Sequence, residues 1–141
     1  MVDQEPGSSR SPDVMVVWEG DTHDAICSFP KGARQNLGAD LRRVQVGLPP
    51  LDGKPAPGVG PGVYELRDED ERAWYRLLYL KKIHNRIHVL HCFEKRSNKM
   101  EQKDIETAKQ RLKVVQARLR QEARNAKRTR TGAHHEGRRS R

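Results

Sequence analysis

The chain has 141 residues, a formal net charge of +9 and a mean hydropathy of −0.95, with hydrophobic and charged residues in near-equal shares of 34% and 33%. That length suits one compact domain, and the polarity is too high for every residue to belong to it, so part of the chain is expected to be disordered. The charge favours a polyanionic partner, mainly nucleic acid or an acidic protein. No apolar run approaches the roughly 20 residues of a membrane span.

The opening "MVDQEPGSSRSPD" is rich in Ser, Pro and Gly, lacks the apolar core of a signal peptide, and is expected to be a disordered extension over 1–13. A cytoplasmic location is the expectation. "VMVVW" (Val14 to Trp18) is a β-branched run and predicts the first strand. Asp21 can cap a short helix from Thr22 to about Ser28, and Pro30 suits the first turn of a second, with Ser28 as its cap. Ala33, Leu37, Leu41 and Val44 give that helix an apolar stripe, Arg34, Arg42 and Arg43 lie off it, and Gly47 fits its stop. Cys27 and Cys92 lack metal-ligand spacing, which argues for small buried hydrophobes in a reducing compartment.

"GLPPLDGKPAPGVGPG" (Gly47 to Gly62) holds five prolines and five glycines, so it is expected to be a long loop. Three strands follow. "VYELR" (Val63 to Arg67) ends in the turn "DEDER"; "AWYRLLYLKKI" (Ala73 to Ile83) ends in "HN"; "RIHVLHCFE" (Arg86 to Glu94) completes an antiparallel meander. Their apolar residues lie on both faces, as in a covered sheet. Ile105, Ala108, Leu112, Val115 and Leu119 then give a long helix one apolar stripe. From Arg124 to Arg141 seven Lys or Arg face one Glu, and a disordered basic tail is expected there, solvated or docked on RNA or DNA. The expected domain is thus 14–123.

Metal binding is poorly supported: His84, His88 and His91 in "HNRIHVLH" lack a carboxylate or cysteine at a helical offset. There is no phosphate-binding loop and no nucleophile elbow. The basic positions say more. Alternation puts Arg67 on one face with Val63 and Glu65, and Arg76 on one with Trp74 and Leu78, so both arginines can project into one groove. Lys95 and Arg96 follow the last strand, and Lys99 and Lys103 flank the final helix. Such a face suits a phosphate backbone and a transition state with extra negative charge. The plainer readings stand beside it: a salt bridge from Arg76 to Glu65, a satisfied core role for His91, solvation for the surface cations, and core packing for Trp74, Tyr75 and Tyr79.

The stretch "GVYELRDEDERAWYRLLYLKKIHNRIHVLHCFEKRSNKMEQKDIETAKQRLKVV" resembles the RelE/HigB-type toxins of toxin–antitoxin modules, in their phage-derived HigB-like branch. The likeness spans about Val14 to Leu119. It implies an α/β (α+β) fold, with a twisted, largely antiparallel four-stranded sheet, an N-terminal helical hairpin and a C-terminal helix. It implies an endoribonuclease that cleaves mRNA on the ribosome, without metal or other cofactor, by attack of the ribose 2′-OH on the adjacent phosphate. Its partners would be mRNA, the ribosome and a helix-turn-helix antitoxin, with no membrane. By position, the resemblance assigns Arg67, Arg76 and Lys95 or Arg96 to catalysis, with His91 an acid/base candidate; as basic positions of this sequence, Lys99, Lys103 and Arg43 are expected to bind RNA. Met100 and Glu101 stand where the branch has Thr-Pro, Asn98 with Glu101 offers a shifted capping arrangement, and "HCFEKR" replaces "HAFxKK". Two other readings stay open: a ParE-like toxin that binds DNA gyrase, and a non-catalytic nucleic-acid-binding protein.

Overall fold

A computed structural model of the chain describes residues 14–97 and 101–139, with side chains to position 129. The expected extension 1–13 and the sites at Lys99, Asn98 and Met100 lie outside the described residues. The elements in order are β1 (Met15–Trp18), α1 (Thr22–Cys27), α2 (Lys31–Gln45), β2 (Gly53–Pro55), β3 (Val63–Glu69), β4 (Trp74–Ile83), β5 (Arg86–Lys95) and α3 (Gln102–Arg139). The sheet has five strands in the order β1-β5-β4-β3-β2.

The expected four strands are therefore corrected to five. The extra one, β2, is a three-residue edge strand inside the Pro/Gly loop, pairing antiparallel with β3 through Gly53–Leu66, Lys54–Glu65 and Pro55–Tyr64. Its proline ring is tolerated because an edge strand leaves one row of backbone donors unused. β3, β4 and β5 form the expected meander. β1 instead joins β5 in parallel, Met15 beside Arg86 and Trp18 beside Val89. The β4–β5 turn is closed by His84 and Asn85, both at positive φ (52° and 64°), the requirement of a two-residue turn matched to strand twist.

Both faces of the sheet are covered. Leu66, Tyr75, Leu77, Tyr79, Ile87, Val89 and Cys92 pack against Ile26, Phe29, Ala33, Leu37 and Leu41 of the α1–α2 layer. On the other face Val63, Leu78, Leu80, Leu90 and Phe93 meet Ala108, Leu112 and Val115 of α3. Tyr75 and Tyr79 are thus core residues, as is Cys92. The exposed Cys27 departs from its expected burial.

The helix boundaries differ in detail from the sequence expectation. Ser28 closes α1, its hydroxyl donating to the Ala25 carbonyl, and Pro30 rather than Ser28 occupies the cap position of α2. Asp21 stands at the α1 cap but makes no cap bond; its carboxylate receives Arg111 instead. Gly47 does end α2, with φ +87° and the Leu48 N–H reaching back to the Arg43 carbonyl. α3 runs past its last stripe residue, Leu119, to Arg139, into the stretch expected to be disordered.

Candidate nucleic-acid interface

The α3-facing side of the sheet is apolar at one end and charged at the other. Cross-strand register sets the charged end in rows. Arg67, Arg76 and Phe93 are direct neighbours across β3, β4 and β5; Glu65, Leu78 and His91 form the next row; Trp74 and Lys95 lie on the outer side. A register shift after Leu78, whose partner is His91 while Tyr79 pairs with Val89, makes Leu90 an extra residue on β5. That bulge lets both Leu90 and His91 lie on the α3 side.

Arg76 is buried, and its Nε donates to Glu65 Oε2 at 2.7 Å, with Glu65 equally buried. The plainer reading of Arg76, the cross-sheet salt bridge, is therefore what the structure contains. Burial pulls the guanidinium pKa down and Glu65 opposes that shift. Arg67 donates from Nε and Nη2 to Asp52 Oδ1 at 3.1 and 2.8 Å, and both side chains of this pair are partly exposed. Asp52 is in turn held by the buried Asp40 of α2, whose carboxylate accepts the N–H groups of Leu51 and Asp52 at 2.8 and 3.0 Å. An exposed pair such as Arg67–Asp52 is worth about 0–1 kcal/mol, so an incoming phosphate can displace the carboxylate. The desolvated Arg76–Glu65 pair is fixed by comparison.

Lys95 completes a column along β5. The His91 and Phe93 rings stack at 4.8 Å and 22°, and Lys95 Nζ stands 6.0 Å from the Phe93 centroid. Lys95 is 4% exposed, and its Nζ has no hydrogen-bond partner among the described residues. A buried ammonium in that condition is costly and is ready to take an anionic oxygen. It lines a depression of about 390 Å³ with Phe93, Arg96, Glu101, Lys103 and Asp104.

His91 Nε2 lies 2.9 Å from Asp104 Oδ1, a carboxylate in the first turn of α3. Burial lowers the His91 pKa, with the Asp104 hydrogen bond acting against it. The neutral ring donating Nε2–H to Asp104 fits this setting, a structural link between β5 and α3.

The remaining expected residues divide. Arg96 sits at the rim, donating to the Arg72 carbonyl at 2.8 Å with Glu94 at 3.5 Å, and Lys103 is exposed beside Glu101. Arg43 is on α2, the opposite layer, tied to the Pro49 carbonyl at 2.8 Å, and does not join the cluster. Of the other two histidines in "HNRIHVLH", His88 is buried against Glu19 at 2.8 Å, with Arg118 also on that carboxylate, and His84 is exposed in the turn. Among the described residues no group of three or more His, Cys, Asp or Glu side chains could hold a metal ion. No helix among them is long and apolar enough to cross a membrane. The carboxylates Asp52 and Asp104 were not singled out by sequence; one lies in a Pro/Gly loop and the other reads as an ordinary acid at a helix start.

A model of the phage-derived Gp49-like protein family (DUF891) matches residues 24–113. The chain belongs to that family. Neither a curated protein nor a solved structure gives a significant match. In this Gp49-like chain the matched span contains the whole charged row, Arg67, Arg76, His91, Lys95 and Arg96, together with Lys103 and Asp104. Glu19, Arg118 and the rest of α3 beyond Lys113 lie outside it.

Proposed function

We propose that this Gp49-like protein is the toxin of a toxin–antitoxin module and acts as a metal-independent endoribonuclease on mRNA at the ribosome. The observation that carries the reading is Lys95: a buried ammonium without a hydrogen-bond partner among the described residues, on the same sheet face as Arg67 and Arg76 and lining a depression at the start of α3. In the reaction the ribose 2′-oxygen attacks the adjacent phosphorus and its proton passes to solvent, while the P–O5′ bond breaks and the departing O5′ takes a proton from solvent. The products are a 2′,3′-cyclic phosphate and a 5′-hydroxyl. Lys95 and Arg76 stabilise the extra charge of the pentacovalent state. Arg67 leaves Asp52 to orient the phosphate, and Arg96 and Lys103 hold flanking phosphates. His91 positions α3 through Asp104. A helix-turn-helix antitoxin would neutralise the protein by covering this face.

Inducible expression with primer-extension mapping of transcripts tests the proposal. Wild type should arrest growth and leave discrete cleavage ends. Lys95→Met should lower cleavage by about 100-fold or more, the loss seen when one transition-state donor is removed, while the chain still folds. Growth arrest with intact mRNA and DNA damage signalling would overturn the nuclease reading in favour of a gyrase-binding toxin.

A further inference from the structure

α3 carries two sets of cations on different faces. Arg111 and Arg118 point toward the body and are ion-paired, with Asp21 and Glu19 at 2.9 and 2.8 Å; Glu122, on the same side, takes Arg86 at 2.7 Å. The second set is Lys109, Lys113, Arg120, Arg124, Lys127 and Arg128. At 3.6 residues per turn these six fall within about 100° of arc, beside the apolar stripe of Ala108, Leu112, Val115 and Leu119. All six are exposed, and none has a carboxylate partner among the described residues. From Arg120 to Thr129 every side chain is exposed, and past Glu122 no described ion pair ties the helix to the body, so the stripe continues from the docked half onto a fully exposed part. It is about 29 Å long at 1.5 Å per residue.

We propose that this stripe is a second RNA-binding surface, separate from the charged end of the sheet, which docks along the phosphate backbone of double-helical RNA. Charge complementarity selects a polyanion. Within the arc the one apolar side chain is the small Ala117, with exposed Val114 about 40° beyond its edge, which falls short of the apolar core that a protein interface needs. The stripe also lacks the aromatic platforms on which single strands stack, which leaves the duplex, recognised through its backbone. The choice of RNA over DNA rests on the proposed ribonuclease function; the electrostatic argument does not. The stripe would hold the protein on structured RNA while the sheet face meets the scissile strand.

Fluorescence anisotropy of the full chain with a labelled 20-base-pair RNA duplex, across a salt series, tests this. Replacing Arg120, Arg124, Lys127 and Arg128 together by Gln should cut affinity by about 100-fold or more at 0.1 M salt. It should also reduce the slope of log K against log salt by about 3–4, one contact per residue. Lys95→Met should bind the duplex like wild type. If the fourfold variant loses helicity by circular dichroism, Arg124→Gln and Arg128→Gln singly should each reduce the slope by about 0.9. A folded fourfold variant that binds like wild type, or loss of duplex binding in Lys95→Met, would overturn the assignment. Tighter binding to a DNA duplex of the same sequence would overturn the choice of RNA. Failure of mRNA cleavage with duplex binding intact would strike only the ribonuclease reading.

Discussion

Arg76→Ala is expected to act on the fold before it acts on chemistry. The substitution removes the guanidinium whose Nε lies 2.7 Å from Glu65 and leaves a carboxylate that is 3% exposed between β2, β4 and α3. The only other cation near Glu65 among the described ion pairs is Lys54, at 4.0 Å on an exposed side chain. Removing one partner of a buried pair costs about 3–5 kcal/mol, because the remaining charge stays desolvated. Against a total stability of about 5–15 kcal/mol for a domain, that loss lowers Tm by about 10 °C or more. The double variant Arg76→Met with Glu65→Leu removes both charges and keeps the volume, so it should be neutral or more stable by about 1–4 kcal/mol. Urea unfolding of wild type, the single variant and the double variant measures all three. An Arg76→Ala protein within about 1 kcal/mol of wild type would show that Glu65 reaches water and that the pair is not a desolvated one. Loss of toxicity in Arg76→Ala would therefore carry meaning only beside the double variant, which is expected to fold and to remain inactive.

His91 should titrate below its ordinary value near 6.5, since burial lowers it; a folded-state pKa below the unfolded one means stability is full above about 6.5 and falls as pH drops below it. A proton NMR titration of the His91 ring with a midpoint above 6.5 would contradict its burial. Glu19 also loses its contribution in acid, in a lower window: burial raises its pKa, but the hydrogen bonds from Arg118 and His88 outweigh that and hold it below the ordinary carboxylate value. Its contribution is thus present above about 4.5 and lost as pH falls through the folded value, so Glu19→Gln should be less stable at neutral pH, and its stability curve should approach that of wild type in acid. The Cys92 thiol is pushed up to about 12 by burial while Cys27 is exposed; a thiol reagent should label Cys27 alone in the native protein and both in denaturant. Rapid native labelling of Cys92 would mean the core below α1 opens readily.

The meander, the helical pair and the final helix are legible because their signals are local: alternation in "YELR" and "WYRLLYL", three-and-four spacing from Ile105 to Leu119. β2 is not, because Gly53, Lys54 and Pro55 have no strand propensity and pair only because β3 offers an edge. At the site, the shared face of Arg67 and Arg76 follows from strand parity. Their acidic partners do not, because Asp52 is delivered by Asp40 of another layer and Asp104 by the docking of α3. The assignment of Arg43 to the same interface fails for a related reason: its helix packs on the opposite face, and only tertiary layering decides that.

The parallel pairing of β1 with β5 also bears on how the protein is made. β1 spans residues 15–18 and its partners are Arg86 to Val89, so the first strand must wait for some seventy further residues before it can join the sheet. Glu19, immediately after it, waits longer still, for Arg118. The β3–β5 meander has no such delay, since each strand meets its neighbour across a short turn. Long-range closures of this kind carry the loop-entropy cost that slows folding. During synthesis the meander that bears Arg67, Arg76 and Lys95 can form first. The α3-side wall is added only after the helix has left the ribosome, so the depression beside Lys95 is among the last features to be assembled.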